Sequence, residues 1–211
     1  MGKLKVSVSI LSADFSKLQS EIDRVSNADM LHIDVMDSHF VPELTFGPVV
    51  IKNLATKLPF DVHLMVTNPE KHIEPFAQAG ADAITFHAEA VADIKKVIDK
   101  IHAAGLKAGV ALNPDTPLDP IEEHLESIDR VLIMSVFPGY AGQKFIPDVV
   151  PKIKALRARY NGEIAVDGGI NSETGKIVAE AGADILVAAS FVYKNPEPAK
   201  AVEELRNCLN N

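Results

Sequence analysis

The chain has 211 residues, 47% of them apolar and 24% charged, with a formal net charge of −8. That is enough apolar material for one sizeable globular domain, read as 1–211. The acidic balance excludes a nucleic-acid or anionic-membrane surface, which needs basic patches. A single cysteine, Cys208, leaves no disulfide framework within one chain, and no run reaches the roughly 18 apolar residues of a membrane span, so a cytoplasmic protein is expected.

Short apolar segments alternate with helical patterns from end to end. Val6-Ser-Val-Ser-Ile10 alternates as a strand and lacks the apolar centre of a signal peptide. Strands are predicted at 5–10, 30–36, 60–65, 82–87, 107–112, 129–135, 162–167 and 184–189. Helices are predicted near 14–25, 47–57, 69–79, 92–104, 118–126, 147–159, 172–181 and 197–208. Eight βα units imply parallel strands joined by right-handed crossovers. In so short a chain they favour a closed (β/α)8 barrel over a doubly wound sheet. Ala79-Gly-Ala-Asp82, Ala181-Gly-Ala-Asp184 and the similar Ala104-Gly-Leu-Lys107 each close a helix and open a strand, where glycine suits a left-handed residue after the helix.

Polar residues gather at the C-terminal ends of these strands, where barrels of this kind place their sites. The second strand, Met30-Leu-His-Ile-Asp-Val-Met36, alternates so that His32, Asp34 and Met36 share one face while Leu31, Ile33 and Val35 fill the other. The third places His63 and Met65 together. The first ends on Ser7 and Ser9, the sixth contains Met134, and the seventh ends on Asp167. Two imidazoles and two carboxylates, His32, Asp34, His63 and Asp167, suit a divalent ion such as zinc, iron, manganese or cobalt, without choosing among them. Strands two and seven stand three steps apart around the barrel, so Asp34 and Asp167 approach from well-separated sides. Such a pair can take a proton from one face of a planar intermediate and return one to the other. His87, which ends the fourth strand ahead of Ala88-Glu89, reads as structural rather than as support for a ligand.

Glycine marks a second group of loops. Pro138-Gly-Tyr-Ala-Gly-Gln143 follows strand six, Gly168-Gly169 follows strand seven, and Ala189-Ser190 follows strand eight. Loops after the last strands of a barrel hold phosphate on backbone N–H groups, and glycine lets the anion come close. Gly139, Tyr140, Ala141, Gly142, Gly168, Gly169, Ala189 and Ser190 are therefore candidate phosphate contacts.

Four segments, His32-Ile-Asp-Val-Met-Asp-Ser-His-Phe-Val-Pro42, Asp61-Val-His-Leu-Met-Val66 followed by Asn68-Pro69, Pro138-Gly-Tyr-Ala-Gly-Gln-Lys-Phe145 and Val166-Asp-Gly-Gly-Ile170, together resemble the motifs of the ribulose-phosphate 3-epimerase family. They occur in order over nearly the whole chain. The resemblance implies a (β/α)8 barrel of the ribulose-phosphate-binding type that interconverts D-ribulose 5-phosphate and D-xylulose 5-phosphate. It implies one divalent ion, zinc first among the candidates, on His32, Asp34, His63 and Asp167, with Asp34 and Asp167 also the acid–base pair. It further implies contact of Ser9, His63 and Asp167 with the sugar and a cap of thioethers from Met36, Met65 and Met134. The partner is then a small phosphorylated ketose, with a homo-oligomer left open. Four positions depart from the family pattern: Ser38 and Ala141 where glycine is usual, Phe137 where a polar or acidic residue is usual, and Ala189 where glycine precedes Ser190. An alanine obstructs there only if its φ is positive. The Tyr140-Ala141 pair is similar to that of epimerases acting on D-allulose 6-phosphate, which keeps that substrate open. A phosphosugar lyase or decarboxylase on the same barrel, and a non-catalytic phosphosugar binder, are the other readings. The Asp34–Asp167 pair argues against the first and the metal set against the second.

Overall fold

A computed structural model describes residues 4–210; residues 1–3 and 211 of the expected domain lie outside the described residues. Eight strands, β1 (Lys5–Ser9), β2 (Met30–Met36), β3 (Phe60–Met65), β4 (Ala81–His87), β5 (Lys107–Leu112), β6 (Arg130–Met134), β7 (Glu163–Asp167) and β8 (Ile185–Ala188), form a closed barrel in chain order, every neighbouring pair parallel. The α-helices are α1 (Leu18–Asp23), α2 (Pro48–Ile51), α3 (Ile73–Gln78), α4 (Ile94–Ala103), α5 (Val150–Arg157), α6 (Ser172–Glu180), α7 (Ser190–Tyr193) and α8 (Pro198–Arg206).

Every predicted strand lies within a residue of its observed bounds, and the helices differ more. The helix predicted over 118–126 is a 3₁₀ helix, Asp119–Ser127. Its apolar residues Leu118, Ile121 and Leu125 recur at spacings of three and four, which either helix type satisfies. The helix predicted over 47–57 stops at Ile51, since residues 52–57 carry little apolar surface to pack inward. The four-residue α7 was not predicted.

Strand alternation sorts the core into two compartments. Outward residues such as Val6, Ile33, Val62, Ile84, Val110, Ile133, Val166 and Leu186 pack against the helices. Inward residues fill the bore, where Met30, Ala111, Leu132, Met134, Ala165, Ile185 and Val187 form a smaller cluster. Gly109 also faces inward: a Cβ there would lie 2.2 Å from Thr85 Oγ1, so the glycine makes room for that side chain.

The N-terminal end of the barrel is fastened by a repeated device. Asp29, Asp82, Asp129 and Asp184 each directly precede, or lie at the opening of, an even-numbered strand. Their side chains accept from the backbone N–H groups of Val6, Phe60, Ala108 and Ile164, all near the start of the preceding odd-numbered strand, at 2.8–2.9 Å. Each bond ties two strands together and fixes their register, hence which side chains face the bore. The turns before β4, β5 and β8 carry Gly80, Gly105 and Gly182 with φ of 95°, 78° and 113°, the left-handed conformation that their helix ends require.

Asp82 tests this fastening most simply. Asp82→Ala removes the acceptor of Phe60 N–H and should cost about 1 kcal/mol in urea denaturation, whereas Asp82→Asn, which retains an oxygen acceptor, should lose clearly less. Equal losses in the two variants would contradict the role given to that bond.

Candidate active site

At the C-terminal end of the bore the strand register aligns Asp34 with His63 and Met36 with Met65 across β2 and β3, and Met134 with Asp167 across β6 and β7. The four residues expected to hold a metal come together: one donor atom from each of His32, Asp34, His63 and Asp167 lies within 4.8 Å of the others. His63 Nδ1 is 3.2 Å from Asp34 Oδ1, and His32 Nε2 is 3.4 Å from the same oxygen and 3.9 Å from Asp167 Oδ2. His32, Asp34 and His63 are buried, while the Asp167 side chain keeps 20% of its exposure and faces the open cleft.

Hydrogen bonds on the far side of each ring orient the imidazoles. His32 Nδ1 is 3.0 Å from Asp61 Oδ2, an acceptor only, so it carries the hydrogen when Asp61 is ionised. His87 Nδ1 lies 3.3 Å from Glu89 Oε2, and its Nε2 is 2.9 Å from His63 Nε2. With the His87 hydrogen directed at Glu89, His87 Nε2 accepts from His63. In the neutral ring His32 Nε2, like His63 Nδ1, then turns an electron pair toward the two carboxylates, and an ion there takes the place of the hydrogen that Asp34 and Asp61 favour on His32. Four acceptors converging in a buried space fit a divalent cation, and an imidazole anchored by a carboxylate is the usual support for such a ligand. His87, expected to be structural, therefore also touches a candidate ligand. Ser9 Oγ donates to Asp34 Oδ2 at 2.5 Å.

The protein's own charges set the two candidate acid–base groups apart. Burial and the negative charge of Asp34 push Asp167 up to about 7. Asp34 is held well below the usual carboxylate range: burial opposes its ionisation, but the charge and hydrogen bond of His32, then those of His63, prevail. For His32, burial disfavours the charged ring, yet Asp34 and Asp61 raise its pKa. Burial lowers His63 to about 4. One ionised and one protonated carboxyl group on opposite walls is the condition that two-sided proton transfer needs.

Above the cluster opens a cleft of about 750 Å³, lined by Ser9, Met36, Met65 and Met134 together with the late loops. Met36, Met65 and Met134 are buried. All the proposed phosphate contacts, Gly139 through Gly142, Gly168, Gly169, Ala189 and Ser190, line the same cleft, with Lys144 and Lys194 beside them. Gly169 has φ of 62°, and a Cβ there would lie 2.5 Å from Phe145 N, so a larger residue would displace the β6–α5 loop as well as crowd an anion. Ala189 has φ of −111° and Ala141 is not in the positive-φ region, so neither departure obstructs the backbone. Ser38 differs: among the described residues it is the one non-glycine with positive φ, 58°, and its Oγ donates to Pro42 O at 3.0 Å. Phe137 is half-exposed at the cleft wall.

Several supporting residues escaped the sequence reading. Asp61 shares a strand face with His63, so alternation offered it, but its bond to His32 depends on register. Ser135 Oγ lies at hydrogen-bonding distance from both Asp167 O and Gly168 O (2.8 and 2.7 Å) and steadies the point where the carboxylate gives way to the glycine pair. Thr45 Oγ1 donates to Asp34 O at 2.7 Å and accepts from Met36 N at 3.0 Å, fixing the end of β2.

Residues 5–193 match the model of the ribulose-phosphate 3 epimerase family. The chain belongs to that family. Membership makes it an enzyme of the isomerase class. Ribulose-phosphate 3-epimerase from Bacillus subtilis is 49% identical over 96% of this chain and 98% of its own length, and the cytoplasmic isoform from Oryza sativa is 44% identical over 97% and 94%. Among solved structures, KGPDC from Streptococcus mutans superposes with a TM-score of 0.78 at 16% identity, covering 99% of this chain and 98% of that one. 3-Hexulose-6-phosphate synthase from Salmonella typhimurium gives 0.73 at 21%, covering 98% and 99%. At such identities these two structures share the fold alone with this member of the epimerase family.

An ion at this cluster competes with the proton on Asp167 and needs both imidazole electron pairs free, so its binding should release protons. Asp167, raised to about 7, is protonated at pH 6 and largely ionised at pH 8.5. Calorimetric titration with Zn²⁺ in buffers of different ionisation enthalpy should therefore find more protons released at pH 6 than at pH 8.5, and Asp167→Asn should shrink that difference. Release that does not vary with pH would contradict the Asp167 assignment.

Proposed function

We propose that this chain is a metal-dependent epimerase that inverts C3 of a ketose phosphate, interconverting D-ribulose 5-phosphate and D-xylulose 5-phosphate in the cytoplasm. The observation that carries the reading is the convergence of Asp34 from β2 and Asp167 from β7 on one cluster with donor chemistry for a divalent ion, with Asp34 held low and Asp167 pushed up to about 7. The names of the family's curated members support the pentulose phosphates as substrates.

The phosphate is held by backbone N–H groups of Gly142, Gly168, Gly169 and Ser190, with Lys144 and Lys194 adding positive charge. This anchors the sugar with its C2 carbonyl and C3 carbon over His32, Asp34, His63 and Asp167. Those four residues hold the ion, zinc first among iron, manganese and cobalt, which when bound supplies Lewis-acid polarisation and charge compensation for the enediolate. Asp34, already ionised, takes the C3 proton on one face, and Ser9 holds its other oxygen in place. Asp167 carries the one proton that it shares with Asp34 as a coupled pair and delivers it to the opposite face, so the carbon is inverted. In the reverse direction the two exchange roles. Met36, Met65 and Met134 close over the intermediate as a polarizable wall that excludes water without offering it a proton.

Replacing either carboxylate with its amide keeps shape but removes a proton acceptor. Asp34→Asn and Asp167→Asn should each lower kcat on the order of 10²–10⁴-fold or more. In D2O under initial-rate conditions the epimerised product should carry deuterium at C3, while unreacted substrate gains little. Product that retains its original C3 hydrogen in full would rule out two solvent-exchanging groups.

A further inference from the structure

Beneath the cation cluster the bore is not apolar throughout. Asp61, on the residue of β3 aligned with His32, accepts from His32 Nδ1 through Oδ2, and Ser7 Oγ stands 3.4 Å from the same oxygen. The other Asp61 oxygen lies 2.6 Å from Arg130 Nη1. Arg130 in turn donates Nη2 and Nε to Glu163 Oε2 at 2.8 and 3.3 Å, and Glu163 Oε1 receives Lys5 Nζ at 2.5 Å. Asp61 and Arg130 are 3% and 5% exposed, whereas Lys5 reaches the N-terminal face of the barrel with 42% of its side chain accessible. A ladder of alternating charge thus runs up the bore from the solvent at one end to the back of His32.

An ion pair buried this deeply gives little net stability, since desolvating both groups offsets their attraction, and an apolar filling of the bore would often serve the fold as well. The ladder does constrain geometry. Arg130, held by two N–H groups on Glu163, sets one guanidinium nitrogen against Asp61 Oδ1 as an ion pair, and that contact holds the carboxylate in place behind His32. That carboxylate fixes the hydrogen on His32 Nδ1 and the rotation of the ring. We infer that Arg130 is a positioning residue for the cation cluster: acting through Asp61, it keeps the His32 Nε2 electron pair aimed at Asp34 and Asp167. The inference rests on the metal reading above and concerns a residue that touches none of the four proposed ligands.

Loss of such supporting partners typically weakens metal binding about 10–100-fold. Co²⁺ titration followed by its visible absorption, with chelator competition for Zn²⁺, should show that loss in Arg130→Met and in Asp61→Asn. Because Arg130 acts through Asp61, the double variant should bind no more weakly than Asp61→Asn alone. Arg206→Met, which breaks the ion pair with Asp29 outside the barrel, serves as a destabilised control and should keep its affinity within about twofold, the scale of distant, independent sites. Should Arg130→Met fail to fold, Arg130→Lys keeps the charge but loses the fork and should still bind more weakly and alter the Co²⁺ spectrum. If the unsubstituted protein binds one ion and Arg130→Met or Arg130→Lys matches it in affinity and spectrum, this inference fails and the metal reading stands. If the unsubstituted protein binds no ion that Asp34→Asn can abolish, the metal reading fails and takes this inference with it.

Discussion

Two imidazole nitrogens and two carboxylates face one another within 4.8 Å inside the barrel, and most of what is distinctive in the structure follows from that crowding. Acceptors so close in a buried space repel unless a proton or a cation stands between them. The protein's own groups answer that crowding: burial and the charge of Asp34 push Asp167 up to about 7, while the neighbouring imidazoles, His32 first, hold Asp34 low. The same opposition that makes the cluster receptive to a cation prepares one carboxyl group to give a proton and the other to take one. On the proposed function, metal affinity and acid–base chemistry would be two consequences of one arrangement.

The scaffold's task is to keep that arrangement from relaxing. Asp29, Asp82, Asp129 and Asp184 lock the strand register at the bottom of the barrel. That register decides which side chains reach the top, since a slip of one residue would turn His32 and Asp34 outward among the helices. Around the cluster, Asp61 and the His87–Glu89 pair set the hydrogens of the two imidazoles, and Ser9, Thr45 and Ser135 hold the strand ends. Stability and chemistry are thus separated by barrel end but joined through the strands.

Period-two alternation made much of this legible in the sequence. It located all eight strands and placed His32, Asp34, His63 and Asp167 on bore-facing positions, because a strand's inward face depends only on local order. What the sequence concealed depends on contacts between distant segments. Arg130 lies 69 residues from Asp61, and nothing local announces that their side chains meet. His87 looked structural because its bond to His63 crosses from β4 to β3. The 3₁₀ helix at Asp119–Ser127 read as an α-helix because its three apolar residues fit both periods. The glycine departures resolve through backbone geometry: Ala141 and Ala189 avoid positive φ, and the strain falls on Ser38, whose hydroxyl bonds back to its own loop.

On the proposed function the four converging donors hold a single divalent ion. The most direct measurement is an anomalous difference map from a crystal grown with Zn²⁺, recorded on both sides of the zinc absorption edge. One peak within coordinating distance of His32 Nε2, Asp34, His63 Nδ1 and Asp167 is expected. A map with no peak among those atoms, from protein that turns substrate over at full rate, would contradict it.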